Sequence, residues 1–519
     1  MKKTLGKRLS IILSTLIVSS IFLTGCGGNS GNSGSTDLSQ KKDLIVAIQG
    51  DAKSIDPHGA GDANSVNALN GVFETLVKYD ENNEIVPSLA ESWEQIDELS
   101  YKFNLRKGVK FHNGEEMKAS DVVFSFKRAL SPVGSKVQYI MNVVDGDAFE
   151  IIDDYTLIIR TKKPFSPFIS YLPYIGAAVV SEKHYTENVD TAPMNPIGTG
   201  PLKFVEWKKG SELTYTRNEE YWGDKTKYEK LIMKIIPENN SRMIELETGA
   251  IDIALGVAPN DYQRIKDSED MELLTTPSTQ FTQVAMNTQK APLDDVRVRQ
   301  AIDYAINEES IVNSVQRGSA RYTPGGITPD QLYFDDSDPK CKYDLEKAKA
   351  LIKEAGLEPG TKLTFYTTEN QVRVDTGTII QTQLKEIGID LEIKVLEAAT
   401  FYDAVQNGEH DLCISGWGAI GFKDPDNNIF GPLHSDQIPD NNYCFYSNPE
   451  LDKLLDTQRI LPNGPEREKV VKDAQKLIRQ EVPYITFDNP DQAVGIRTYV
   501  KGFNPTPAAS HFYNSVYFE

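Results

Sequence analysis

Cysteine and histidine are scarce in this chain of 519 residues. The four cysteines are Cys26, Cys341, Cys413 and Cys444, and none forms a CxxC pair, so zinc-ribbon and thioredoxin-type motifs are excluded. Cys413 and Cys444 admit two readings, a disulfide or two small buried residues. Six histidines are scattered with no pair at helical spacing, so a metal site on one helix face is excluded. HExxH, GxSxG and the phosphate loop GxxxxGK[ST] are all absent. Nothing singles out two of the 75 acidic residues as an acid/base couple. Basic residues are outnumbered, 55 against 75, and the net charge of −20 repels phosphate backbones and anionic headgroups. No nucleic-acid partner and no cofactor are expected. Long apolar runs are missing outside the amino terminus, so no other segment reads as a membrane span. A hydrophobic fraction of 39% with 9% aromatics suits a folded protein, and the length suits about three to four domains.

The amino terminus is what the chain does have. Lys2, Lys3, Lys7 and Arg8 precede a mostly apolar stretch from Leu9 to Leu23. That stretch is short of the roughly 20 residues a span needs and reads as an export signal over residues 1–25. Leu23-Thr24-Gly25-Cys26 resembles the lipobox of bacterial lipoproteins, which implies an acylated Cys26 as the first mature residue. Residues 26–42, rich in Gly, Asn and Ser, read as a flexible tether. Losing four basic and no acidic residues would take the net charge to −24.

In the body, strand and helix patterns alternate. Leu44, Val46 and Ile48 mark a short strand, and 109–111 and 156–160 read as two more. Ser120 is placed as the N-cap of an apolar-periodic stretch to Leu130. Val298, Ala301, Ile302, Ala305 and Ile306 fall on one helix face. Leu345, Ala348, Ile352 and Ala355 form another, stopped by Gly356. A helix is predicted from about Asp375 to Gly388, a strand from Ile389 to Val395, a short helix to Gly408, and a buried strand from Asp411 to Trp417. This order implies an α/β lobe with parallel pairing.

Several segments then resemble the large extracellular solute-binding proteins of oligopeptide and dipeptide ABC importers, solute-binding protein family 5. They include Ser54-Ile55-Asp56-Pro57-His58, Val72-Phe73-Glu74-Thr75-Leu76-Val77, Val86-Pro87-Ser88-Leu89-Ala90-Glu91-Ser92-Trp93 and Gly198-Thr199-Gly200-Pro201. Asp295-Val296-Arg297-Val298-Arg299-Gln300-Ala301-Ile302 and Asp424-Pro425-Asp426 continue the match, which runs from 43 to 519. The resemblance implies an α/β fold of two lobes, like class II periplasmic binding proteins, with an extra small domain and a hinge. Lobe I would comprise 43–63, 193–288 and 488–519, the extra domain 64–192, and lobe II 289–487.

It also implies a binding role and no enzymatic activity. The ligand would be an extended peptide, its backbone paired to a strand edge and its side chains in hydrated pockets. By the same resemblance Asp51, Ala52 and Lys53 are candidate ligand contacts, with Asp51 toward a cationic group. Met286, Asn287 and Thr288 would offer backbone groups where hinge meets cleft. Arg373, read as lying just before a helix, is the candidate for a ligand carboxylate. Gly416, Trp417 and Gly418 would be the cleft strand end, with Trp417 an apolar wall or a core residue. Peptide-binding relatives carry an aspartate three residues after that Trp, for the α-ammonium; this chain has Ile420. Asp424 and Asp426 are candidate substitutes, or a turn held by its own side chains.

The sequence therefore predicts a monomeric, lipid-anchored receptor on the outer face of the cell membrane. It would deliver oligopeptides or dipeptides to separate permease and ATPase subunits of an ABC importer. The departure at Ile420 keeps open a non-peptide cargo such as a nickel chelate, haem or an oligosaccharide. A peptide-signal receptor and a secreted hydrolase are further alternatives.

Overall fold

A computed structural model describes residues 41–80, 83–321, 323–337, 343–418 and 423–519. The export signal, Cys26, nearly all of the tether, Cys341 and Ile420 lie outside the described residues.

Strand β1 (Asp43–Ile48) is where the sequence places it, with Leu44, Val46 and Ile48 buried. Next come β2 (Ala90–Gln95), β3 (Ser100–Leu105), β4 (Glu150–Asp153) and β5 (Thr156–Arg160). They form their own antiparallel sheet in the order β2–β3–β5–β4. Helix α1 (Ala119–Leu130) covers it, and Phe103, Leu105, Val122, Phe126, Leu157 and Ile159 share one apolar core. Two local expectations are corrected here. The N-cap of α1 is Lys118 and not Ser120, because the Asp121 carboxylate reaches back to the Lys118 N–H at 2.9 Å. Residues 109–111 are not a strand; only a Lys110–Glu116 bridge forms. Gly108 and Gly114, with φ of 75° and 88°, turn the chain on either side before a ladder can extend.

The main sheet takes β6 (Leu202–Lys208), β7 (Glu212–Arg217), β8 (Lys230–Ile235), β9 (Ile253–Leu255), β10 (Met271–Pro277) and β11 (Gln280–Met286). Helices α2 (Val296–Ala305) and α3 (Leu345–Ala355) then lead to β12 (Thr361–Thr368) and α4 (Gln371–Lys385). After them run β13 (Ile389–Leu396), α5 (Ala398–Gln406), β14 (Leu412–Gly418), α6 (Asp426–Leu433), α7 (Pro449–Ile460), α8 (Pro465–Glu481) and β15 (Tyr484–Arg497). The order across the sheet is β13–β12–β14–β11–β15–β9–β1–β8–β7–β6. β12 pairs in parallel with β13 and β14, as the helix–strand alternation predicts.

The long strand β15 joins the two halves of this sheet. Its first residues pair with β11, and its last pair with β9 and β10. On the β11 side, Val298, Ala301, Ile302 and Ala305 of α2 pack with Val284, Met286, Leu412 and Ile414. Each of the Val, Ile, Leu and Met side chains among these stabilises the fold by about 1.5–3 kcal/mol on burial. On the β1 side, Val46, Leu231, Ile253 and Val494 belong to a different core. Gly198 and Gly200 seat their loop directly on the backbone of Gly71 and Val72, where a Cβ would lie 2.0–2.4 Å from a carbonyl oxygen. Cys413 and Cys444 are both free and buried, so the packing reading applies to them.

Helix α4 starts four residues earlier than predicted. Asn370 caps it, its side chain accepting from the Arg373 N–H at 3.1 Å. Arg373 is thereby in the first turn of the helix and not in the loop before it.

Candidate ligand-binding site

A cavity of about 280 Å³ opens where β11, β14 and β15 meet. Register puts Gly416 of β14 and Asp488 of β15 on either side of Thr282 of β11. These three positions make a row across the cavity floor. The first turn of α4 stands over one end of the row. A Cβ on Gly416 would lie 3.1 Å from Arg373 Nη2, so the guanidinium rests just above the bare glycine backbone. Among the described residues Arg373 has no ion-pair partner. The opposite wall comes from Val257, Pro259, Tyr262 and Asp491, across the β15 junction.

The same place carries an open strand edge. β12 meets β14 only at Leu412 and Cys413. From Ile414 to Trp417 that edge has no strand partner among the described residues and can take an added strand, whereas Gly418 O already accepts from Asn427 Nδ2 at 2.9 Å.

Electrostatics set this cavity apart from its surroundings. Asp488 is 1% exposed, and its Oδ2 accepts from Gln316 Nε2 at 2.7 Å. Thr282 beside it also donates to the carboxyl, which favours the charged form. Burial holds this carboxyl above the usual carboxylate range, with Arg373 among the groups that oppose the rise. Asp491 is raised for the same reason, and Arg321 opposes it.

A second cavity, of about 300 Å³, shares Gln280 with the first and is bordered by Gly418. Phe73, Tyr79, Tyr174 and Phe512 supply much of its apolar wall. Glu74 lines it as well, and accepts from Thr199 Oγ1, Tyr221 OH and Trp222 Nε1, each at 2.8 Å. Burial raises the Glu74 carboxyl despite these three donors.

The residues singled out from sequence divide sharply. Arg373 and Gly416 meet in the first cavity, and Gly418 borders the second. Trp417 lines neither cavity. Its Nε1 donates to Asn427 O at 2.8 Å, and its ring lies where a Cβ on Gly431 would come within 2.3 Å. Asp424 is committed to Arg467, with contacts of 2.7 and 2.8 Å. Asp426 is fully buried and accepts from Tyr171 OH at 2.7 Å and Arg459 Nη2 at 3.1 Å. Asp51 accepts from Trp207 Nε1 at 2.8 Å and Gly210 N at 2.6 Å, and neither it nor Ala52 or Lys53 lines either of these two cavities. Met286 and Asn287 are buried at the far end of β11, roughly 20 Å of strand from Gln280. Backbone N–H groups of Met286, Asn287 and Thr288 donate to Pro483, Asp411 and Cys444.

Sequence reasoning passed over Gln280, Gln316, Asp488 and Asp491. A signal for the last two was present. Asp488-Asn489-Pro490-Asp491 interrupts an otherwise apolar strand pattern from Tyr484 to Ile496. Among the described residues no group of three or more His, Cys, Asp or Glu side chains is placed to hold a metal ion.

The family described as "Bacterial extracellular solute-binding proteins, family 5 Middle" matches residues 84–440. The chain belongs to that family. As a family 5 solute-binding protein it is similar to the dipeptide-binding protein of Escherichia coli, 29% identical over 92% of this chain and 95% of the other. It is similar to heme-binding protein A of Haemophilus influenzae, 30% identical over 84% and 85%. Among solved structures, a periplasmic binding protein of Helicobacter pylori in complex with a peptide superposes with a TM-score of 0.82. It is 30% identical, covering 93% of this chain and 99% of that one. The oligopeptide-binding protein of Bacillus subtilis, solved with a nonapeptide, gives 0.77 at 26% identity over 92% and 99%.

This family 5 protein therefore has the two-lobed periplasmic-binding-protein fold. Its family is one of solute-binding transport proteins, not enzymes. No helix among the described residues is long and apolar enough to cross a membrane.

Proposed function

We propose that the protein is a lipid-anchored receptor on the outer face of the cell membrane. It captures peptides between its closing lobes and hands them to the permease and ATPase subunits of an ABC importer. Cys26 carries the lipid and residues 26–42 the tether. Lobe I is assigned to 43–63, 193–288 and 488–519, the extra domain to 64–192, and lobe II to 289–487. The protein acts as a monomer, because each step needs one cleft and one anchor.

The observation that carries this reading is the open edge of β14 beside Arg373, which has no ion-pair partner among the described residues. An extended peptide has a donor and an acceptor at every residue, and a strand edge matches them whatever the side chains. A guanidinium at the end of that edge receives the terminal carboxylate. Asp51, Met286, Asn287, Thr288, Trp417, Asp424 and Asp426 are assigned to the framework around the cleft, since the polar groups described above are already bonded within the protein.

Native mass spectrometry of the full chain extracted in detergent tests the reading, followed by sequencing of whatever dissociates on denaturation. Peptides among the released masses are expected. A single non-peptide mass, such as a haem, would overturn the peptide reading; the similarity to a heme-binding protein is what makes that outcome the one to look for.

A further inference from the structure

We propose that the extra domain is a clasp: it rides on lobe I, and its segment from Phe165 to Tyr171 fastens to lobe II when the lobes close. The inference rests on the closing-lobe reading above. It gives the extra domain a task there, holding the closed form and slowing the release of a bound solute.

Apolar packing shows which lobe bears the extra domain. Val66, Leu69 and Val72 of residues 64–192 share one core with Leu44, Val46 and Leu231 of lobe I. Arg128 crosses the same boundary to buried Asp56, with contacts of 2.5 and 2.8 Å. The boundary with lobe II is different in kind. Among the described residues, neither core containing side chains of 289–487 includes any from 64–192. A boundary without a shared apolar core is one at which domains move.

Polar groups make that second boundary, and they gather at one helix end. The last carbonyls of a helix find no partner within it. At the end of α7, Arg459 O accepts from the Ser166 N–H at 2.7 Å, and Leu461 O accepts from Ser166 Oγ. Ser166 therefore caps α7 from outside its lobe. The Arg459 guanidinium lies 4.9 Å from the centre of the Phe165 ring. From the one-turn helix Phe168–Tyr171, Tyr171 OH donates to Asp426 at 2.7 Å. Burial and then the Asp426 charge raise this hydroxyl well above its ordinary value, so it stays a donor. Asp426 also accepts from Gln458 and Arg459 of α7, so its charge stays paired inside lobe II when Tyr171 withdraws. Glu84 pairs with Lys423 at the exposed rim of the boundary and adds little.

These features make a joint that opens without penalty to the fold. Water can serve the freed carbonyls and hydroxyls, so each bond is exchanged at small net cost, whereas a shared core cannot be parted that way. The joint also adjoins a cavity. Lys78, Tyr79 and Ser88 from the extra domain and Gly418 from lobe II are walls of the second cavity described above. Fastening Ser166 and Tyr171 thus holds those walls together.

Hydrogen exchange of the full chain in detergent, without added solute and across low urea concentrations, tests the clasp. Pro164 and Pro167 flank Phe165 and Ser166, so a fragment covering 164–167 reports two amides only. Ser166 is expected to exchange about a hundredfold faster than the amides of β3 and β5, at a rate urea hardly changes, since opening the joint exposes little surface. Exchange of Ser166 at the rate of those strands, with the same steep urea dependence, would show a permanent joint and overturn the proposal. Tyr171→Phe should speed the Ser166 amide about tenfold, again with little urea dependence. Ser166→Ala, which removes only the bond to Leu461 O, should act on the amide at 166 in the same direction. Rates unmoved by both variants would also overturn it. An equimolar mixture of natural dipeptides should slow the wild-type Ser166 amide about tenfold, because an occupied cleft favours closed lobes. The same dipeptides should leave Tyr171→Phe about tenfold faster than they leave the wild type, with association little changed. No slowing by dipeptides, with the solute-free behaviour as expected, would count against the peptide reading and uphold the clasp.

Discussion

Replacing Asp424 with Asn asks whether that acid serves the fold or a ligand. Asp424 and Arg467 are 4% and 0% exposed and make a two-pronged contact at 2.7 and 2.8 Å. Two unit charges about 4 Å apart attract by roughly 4 kcal/mol at an effective dielectric constant near 20. Removing one member also strands the other, and breaking a buried pair costs about 3–5 kcal/mol in total. Arg467 would keep Gln458 O, Gln458 Oε1 and Asn463 Oδ1 as acceptors, which puts the loss at the lower end, about 3 kcal/mol. In a cooperative unit of about 150–250 residues, each kcal/mol moves Tm by roughly 2–4 °C, so the expected drop is about 6–12 °C. The assay is thermal unfolding followed by circular dichroism, beside a ligand titration of the same sample. Arg467→Met alone should cost a similar amount. The double variant Asp424→Leu with Arg467→Met should regain much of the loss, because it removes both desolvated charges at once. A Tm shift below about 2 °C combined with a tenfold loss of ligand affinity would refute this reasoning and return Asp424 to the binding site.

Three further outcomes are expected. Burial holds His58, His410 and His511 down to about 4 against an ordinary value of 6.5. Between these values the unfolded chain binds protons that the folded chain refuses, so stability is full above pH 6.5 and falls as pH drops toward 4. The slope is about 1.4 kcal/mol per pH unit for each histidine, and His511→Gln should flatten the fall of Tm in that window; an unchanged slope counts against it. Gly431→Ala drives a Cβ to 2.3 Å from Trp417 Cζ2 and should cost about 1–3 kcal/mol with a shifted tryptophan emission. An unshifted spectrum would mean the ring does not pack there. Tyr171→Phe removes the 2.7 Å hydrogen bond to buried Asp426 and should lower the urea midpoint by the equivalent of about 1–3 kcal/mol, a result that an unaltered midpoint would contradict.

Periodicity and punctuation made much of the fold legible in the sequence. Val298, Ala301, Ile302 and Ala305 read as one helix face and are one; Gly356, at φ 71°, ends α3 as predicted. Such signals work because they depend on residues within a turn or two of each other. The misplacements at Ser120 and Arg373 have equally local causes, a carboxylate reaching back to Lys118 and a cap at Asn370. Both caps lay a few residues upstream of where the apolar pattern starts, so the pattern alone set the boundary too late.

The binding site was legible only in part. Arg373 and the Gly416 strand end emerged from resemblance, and the structure brings them to one cavity. Asp424 reads identically on paper whether it meets a ligand or Arg467, and only the folded chain supplies Arg467 as its partner. The sequence by itself determined the class of protein, the acidic balance, and most of the strands and helices singled out in the second half of the chain. Tertiary structure decided which carboxylates are spent inside the protein and which are left facing a cavity. The physical reason is register: Gly416, Thr282 and Asp488 come from three distant segments, and they form a row because hydrogen-bond pairing between β14, β11 and β15 fixes each strand against the next.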